Sequence, residues 1–120
     1  MRTYTPEEAA AEIPALREQL ARIRSSRRAL IESSERITDA VAADGGGVAG
    51  SDWFEASRQL REDVTDLAAR DILLRDADGG LVDFPSEREG RIVFLCWNAQ
   101  EDELGFWHEQ DSGFIGRRPL

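Results

Sequence analysis

The fold is decided by the last third of the chain, residues 80–120, which read GLVDFPSEREGRIVFLCWNAQEDELGFWHEQDSGFIGRRPL. Its strongest strand signal is Arg91 to Asn98, where β-branched and aromatic residues predominate. Apolar residues run on there without alternation, which predicts a central strand buried on both faces. Weaker strand signals lie at residues 72–74, Leu81 to Phe84 (stopped by Pro85) and Leu104 to Glu109. The region is therefore predicted to form a small antiparallel meander of three to four strands, followed by an irregular tail.

Two helices are predicted before this region. Thr5-Pro6-Glu7-Glu8 is a helix start, because Thr5 can cap the helix and Glu8 completes a capping box. Pro14 predicts a kink or a fresh start, since proline lacks an N–H and crowds the preceding turn. The first helix should end near Ala43, and the second, capped by Ser51 or Asp52, should end near Arg70. The glycine-rich residues 44–51 predict a loop between them.

Apolar residues recur along both helices at steps of three, four or seven, the heptad-like pattern of a coiled coil. A helix of about 30 residues is roughly 45 Å long, whereas a compact domain of this size is only about 27 Å across. The helices should therefore protrude or pack against a second copy. We predict a homodimeric four-helix bundle whose interface contains Leu16, Leu20, Ile23, Leu30, Leu60 and Val64. The alternative is that the sheet covers the seam within one chain.

The predicted fold class is α+β: a long antiparallel helical hairpin over residues 6–70, then a β-meander and tail over residues 71–120. A length of 120 residues predicts a single domain, residues 1–120.

Composition excludes several partners. A net charge of −9 argues against nucleic acid and against anionic membrane surfaces, both of which require a basic patch. A single cysteine cannot form an internal disulfide, which suits a reducing compartment. We find neither a signal-peptide pattern nor an apolar run long enough to span a membrane. A cytoplasmic location is therefore expected.

Six short segments carry a resemblance to a known family: residues 4–9 (YTPEEA), 13–16 (IPAL), 80–85 (GLVDFP), 95–97 (LCW), 105–109 (GFWHE) and 113–117 (GFIGR). They resemble the prokaryotic domain-of-unknown-function family numbered 2203, along the whole chain. The resemblance implies a small, stand-alone cytoplasmic protein of bacterial type. It implies no substrate and transfers no catalytic motif.

Ionisable side chains near the end of the chain predict a metal site. His108 is the only histidine, and imidazole is the commonest metal ligand. Asp83 lies in a neighbouring short strand, and Glu109 or Asp111 could supply a third ligand. Such a set suits a divalent transition metal of the zinc, manganese or iron type. The alternative is that His108 is a hydrogen-bonded structural residue.

A second hypothesis concerns ligand binding by the aromatic residues. Trp97 and Trp107 could line a pocket in which Arg117 and Arg118 bind a carboxylate or phosphate. Cys96 could belong to the same pocket and meet His108, but a one-residue change of strand register decides this. The alternatives are that the tryptophans form core and that the arginines pair with Asp111 or Glu109.

Two functional interpretations follow. The first is a non-enzymatic homodimeric interaction or structural module, and the second is a small metal-binding protein or metal-dependent enzyme centred on Asp83 and His108. Whether the protein is an enzyme is left open.

Overall fold

The computed structural model of the chain describes residues 1–44 and 50–120. Two helices are followed by a five-stranded antiparallel sheet, so the fold class is α+β. The elements are α1 (Pro6–Asp44), α2 (Gly50–Ala69), β1 (Leu73–Asp76), β2 (Leu81–Arg88), β3 (Arg91–Asn98), β4 (Phe106–His108) and β5 (Arg118–Pro119), with a short 3-10 helix at Phe114–Gly116. Most of the predicted loop at residues 44–51 lies outside the described residues.

Helix α1 begins as the sequence predicts. The backbone N–H of Glu8 donates to Oγ1 of Thr5 at 3.1 Å, and the N–H of Thr5 donates to Oε1 of Glu8 at 2.8 Å. These reciprocal bonds are a capping box, and they satisfy donors that a helix start otherwise leaves free. The predicted fresh start at Pro14 is wrong, because α1 continues through Pro14 as one 39-residue helix.

Polar contacts join α2, which has 20 residues, to α1. Nη2 of Arg22 donates to the carboxylate of Asp63 at 3.0 Å, and Nε2 of Gln19 donates to the Asp63 carbonyl. Asp63 is buried, as are Ala56 and Leu67 on the same face of α2. Val64, which the sequence places at a dimer interface, is 41% exposed in this chain. Asp63 can occupy a buried position because Arg22 pairs with its charge.

The strands follow one another across the sheet in chain order, from β1 to β5. Five strands exceed the predicted three to four, because Arg118 and Pro119 of the expected irregular tail pair with β4. β3 is the central strand, and Val93 to Trp97 are all buried, which confirms the prediction of burial on both faces.

Pro85 does not end β2 as the sequence predicted, because the strand runs on to Arg88. The carbonyl of Pro85 accepts a hydrogen bond from the N–H of Tyr4 at 2.7 Å. In a strand, the N–H and carbonyl of one residue point to the same side. The donor that proline lacks would therefore point away from β3, and no ladder bond to β3 is lost.

One face of the sheet packs against the helices. Leu16, Leu20 and Ile23 of α1 are fully buried in one apolar cluster with sheet residues such as Phe84 and Trp97. These three leucine and isoleucine side chains therefore cannot form the predicted dimer interface, since the chain's own sheet covers them. Leu30 and Leu60 remain partly exposed. The molecule measures 62 × 24 × 24 Å, so α1 extends well beyond the sheet.

Candidate functional site

The face of the sheet turned away from the helices brings three chemically active side chains together. Strand pairing sets Asp83 opposite Cys96, and Phe94 opposite His108. Because side chains alternate between faces, Asp83, Cys96 and His108 share one face. All three are buried, and one donor atom from each lies within 4.8 Å of the others.

Asp83 and His108 are in direct contact. Nε2 of His108 lies 3.0 Å from Oδ1 of Asp83, and Nδ1 lies 2.7 Å from the backbone carbonyl of Glu109. A carbonyl oxygen can only accept, so Nδ1 carries a proton and donates it to Glu109. The imidazole ring is thereby oriented with Nε2 directed at Asp83.

The second oxygen of Asp83 is also held. Nε of Arg75 donates to Oδ2 at 2.9 Å, while its guanidinium carbon lies 5.2 Å from the centre of the Phe94 ring. The ring contact and the hydrogen bond together fix Arg75 at the edge of the site. Asp83 is left with Oδ1 facing His108 and Cys96.

Cys96 is a buried thiol. Burial raises its pKa from 9.0 to about 12, and the nearby Asp83 carboxylate contributes to the rise. The thiol is therefore protonated at neutral pH. Both ring nitrogens of His108 face other groups, so no base is committed to Cys96, and the arrangement does not resemble an activated cysteine nucleophile.

A pocket of about 300 Å³ opens above the three donors. Besides Asp83, Cys96 and His108, its lining residues are Arg75, Leu81, Gln110, Gly113 and Phe114. A volume of this size is at the lower end of small-molecule sites. The buried donors are therefore accessible from a cavity.

The predicted metal ligands separate into two groups. Asp83 and His108 meet, whereas Glu109 and Asp111 lie outside the cluster. The Glu109 carboxylate pairs with Arg91, which lowers the pKa of Glu109. Asp111 is exposed in the turn after β4. Glu109 follows the last residue of β4, and its carboxylate is turned to Arg91 rather than to His108.

The predicted ligand-binding residues are also divided, and only Cys96 lines the pocket. Trp97 and Trp107 are buried in the core on the helix side. Arg117 pairs with Glu101, and Arg118 lies over the Trp107 ring, so the predicted pairing partners differ from those in the structure.

Sequence reasoning missed Arg75 and Gln110, which line the pocket together with Phe114. Arg75 reaches Asp83 next to an irregularity in the β1–β2 pairing, between Leu74 and Asp76. No residue pattern signals that irregularity. Gly113, which precedes Phe114, is a turn signal in the sequence, and in the structure it has a positive φ of 62°.

The fold and site define a class: a helix-on-sheet α+β protein with buried Asp, Cys and His donors on its outer sheet face. The model of the family described as "Uncharacterized conserved protein (DUF2203)" matches residues 2–120, so the chain belongs to that family. This confirms the resemblance seen in the sequence. Comparison with curated proteins and with solved structures found no significant match. In the described part of the chain, neither helix is apolar enough over a sufficient length to cross a membrane.

Proposed function

We propose that the protein binds a divalent transition metal through Asp83, Cys96 and His108, and that this metal is zinc. The observation that carries the proposal is the convergence of three buried donor atoms within 4.8 Å of one another. In a tetrahedral zinc site, with bonds of about 2.0 to 2.3 Å, donor atoms lie roughly 3.3 to 3.8 Å apart. Small side-chain movements would close the cluster around an ion.

The ligand chemistry favours zinc over the harder metals. Cysteine thiolate and imidazole suit zinc, whereas manganese prefers an oxygen-rich site. The raised pKa of Cys96 means that the metal must displace a proton from the thiol, as metals commonly do with cysteine ligands.

Hydrogen bonds around the donors support the same proposal. Metal-binding histidines commonly donate their second N–H to a backbone carbonyl or carboxylate, and metal-binding carboxylates are themselves hydrogen-bonded. His108 donates to the Glu109 carbonyl, and Asp83 accepts from Arg75. Each leaves one donor atom, Nε2 or Oδ1, for an ion.

Three protein ligands leave a fourth position open, and the pocket of about 300 Å³ lies beside the donors. Closed structural zinc sites use four protein ligands, whereas catalytic sites keep one position for water or substrate. When bound, the metal would act as a Lewis acid toward a small molecule in the pocket. We therefore infer that the protein uses the metal either to bind a small molecule or to hydrolyse one.

Cobalt substitution tests this assignment. The metal-free protein should bind one Co²⁺ per chain, with the visible bands of a tetrahedral site and a near-ultraviolet thiolate-to-cobalt band. Cys96→Ser should abolish the thiolate band. Asp111→Asn is the matched control and should leave the spectrum unchanged. A spectrum of octahedral, solvent-like cobalt in the unaltered protein would contradict the site.

A second candidate is the homodimeric helical module, which one observation favours. Trp53, Phe54 and Val64 of α2 and Ile31 of α1 are exposed apolar side chains on a molecule 62 Å long. A second copy related by a twofold axis would cover the same patch on both chains. The long helical hairpin predicted from the sequence belongs to this candidate. It is compatible with the metal site, which lies on the sheet.

Light scattering tests the dimer. Val64→Glu should halve the mass without unfolding the chain, because Val64 is exposed. A monomeric mass for the unaltered protein would exclude this candidate. We also propose a cytoplasmic location, where a single cysteine stays reduced.

A further inference from the structure

The pocket contains one cationic group beyond the three donors. Arg75 lines it, and its side chain is 44% exposed. Nε is used by Asp83, but no residue in the described part of the chain accepts a hydrogen bond from either Nη atom. Two parallel N–H donors on a planar guanidinium are the geometry that recognises carboxylate and phosphate.

The position of Arg75 is fixed before any ligand arrives. The hydrogen bond to Asp83 and the contact with the Phe94 ring hold the guanidinium at the pocket edge. A donor fork held in this way loses less conformational freedom on binding than a mobile surface arginine. It also lies next to the proposed metal, because one Asp83 oxygen contacts Arg75 and the other contacts His108.

Charge in the filled site would favour an anion. A divalent ion is neutralised by the Asp83 carboxylate and the Cys96 thiolate, which leaves the positive charge of Arg75 uncompensated. Two acidic residues on flanking segments are already paired, Glu101 with Arg117 and Glu109 with Arg91. An anionic ligand would therefore balance the local charge.

The shape of the cleft limits the size of the ligand. A second cavity of about 310 Å³ shares Leu81 and Phe114 with the first. Its other lining residues are Gly79, Asn98, Gln100 and the acidic Asp76, so this cavity suits the uncharged part of a ligand and not its anionic end. Together the two cavities suit a small molecule with an anionic end and a polar remainder.

We propose that this pocket binds a small molecule bearing a carboxylate or phosphate, whose oxygens bridge Arg75 and the open position of the metal. This rests on the proposed metal-binding function. Arg75 positions Asp83 and binds the anion directly, so it determines substrate specificity.

The test is a titration of the ¹⁵N-labelled protein with inorganic phosphate and, separately, with acetate at constant ionic strength, followed by NMR. Each titration is done on the metal-free and on the zinc-saturated protein. We expect saturable shifts at Gly113, Phe114 and the Arg75 Nε–H, and tighter binding when zinc is present. The tighter of the two probes identifies the class of anion.

Arg75→Gln should weaken binding by about tenfold or more in both forms, the loss of one charge-assisted contact. Arg88→Gln is the matched control, because Arg88 also lies over an aromatic ring, that of Trp107, but does not line the pocket. It should bind as the unaltered protein does. Equal affinity in the Arg75→Gln and unaltered proteins would overturn the proposal.

The two proposals fail in different ways. Zinc binding without saturable anion shifts would overturn the anion pocket and leave the metal site standing. Anion binding that needs Arg75 in a protein that takes up no zinc would support the anion pocket and contradict the metal site.

Discussion

Oδ1 of Asp83 lies 3.0 Å from Nε2 of His108, although the two residues are 25 positions apart in the sequence. Both side chains are only 3% exposed. The contact spans β2 and β4, with Cys96 of β3 between them on the same face. Two polar groups are buried here on the side of the sheet away from the core, where burial is not needed to hold the helices. Burying such groups costs free energy unless they are paired or coordinate an ion.

Replacing either residue of this pair should remove zinc binding. Asp83→Asn exchanges a carboxylate ligand for a neutral amide, and His108→Asn removes the imidazole. Zinc affinity should therefore fall by more than the roughly 10- to 100-fold that is typical of replacing a residue that only supports a ligand. Arg75→Gln should lower zinc affinity by about 10- to 100-fold, because Arg75 supports the ligand Asp83 and is not itself a ligand. Glu109→Gln should retain full affinity, because its carboxylate pairs with Arg91 outside the cluster. Competition against a chromophoric chelator measures all four, and a Glu109→Gln loss matching that of His108→Asn would contradict the ligand assignment.

The Cys96 thiol should be unreactive in the native, metal-free chain. Burial raises its pKa to about 12, so little thiolate is present near pH 8, and the side chain is only 1% exposed. Iodoacetamide should modify the urea-unfolded chain much faster than the native one. Mass spectrometry reads the result directly, because the chain has one cysteine. Rapid modification of the native chain would refute the burial of Cys96.

Stability should fall as the solution becomes alkaline. The Cys96 thiol titrates at its ordinary value of 9.0 when unfolded but only at about 12 when folded. Between these values the unfolded chain has released the proton and the folded chain retains it, so rising pH favours unfolding. One proton gives a slope of about 1.4 kcal/mol per pH unit. Urea unfolding of the metal-free protein at several pH values from about 8 to about 11 measures it.

Cys96→Ala is the control for that slope. It removes the titrating thiol and should flatten the alkaline decline. The pKa of Tyr4 is also raised by burial, and this contribution remains in both proteins. An identical decline in the Cys96→Ala protein would show that Cys96 does not titrate with the raised pKa.

Leu20 should matter to folding rather than to association. It is fully buried among core residues of its own chain. Leu20→Ala should lower the free energy of unfolding by about 2 to 5 kcal/mol, the range for truncating a buried leucine. Val64→Ala should cost much less, because Val64 is 41% exposed. Denaturant unfolding of both variants decides this, and equal effects would contradict the core described here.

Much of the fold could be predicted from local signals. The Thr5–Glu8 capping box and the central strand Arg91 to Asn98 each follow from short-range chemistry, and both are present. The role of Pro85 was misjudged, and the burial of Asp63 was not predicted, because the partners of both residues are remote in the sequence. The N–H of Tyr4 pairs with the Pro85 carbonyl on the side away from β3, and Arg22 allows Asp63 to be buried. Such compensation depends on tertiary contacts and leaves no local pattern.

The site was only partly predictable. Ligand chemistry singled out Asp83 and His108, but the role of Cys96 depended on the register between β3 and β4. Pairing Trp97 with Leu104 would have set Val93 on the face of His108, whereas the observed pairing of Cys96 with Phe106 differs by one residue. A one-residue shift moves every side chain to the other face. That register is set by packing of the whole sheet, and Arg75 enters the site through an irregularity in β1.

The most direct test of the metal site is its stoichiometry. Tag-free protein is dialysed to equilibrium against buffered micromolar free zinc, and the zinc bound per chain is measured by elemental mass spectrometry. Our account predicts one zinc ion per chain in the unaltered protein and none in the Asp83→Asn, His108→Asn double variant. Zinc-free unaltered protein, or equal zinc in both proteins, would contradict it.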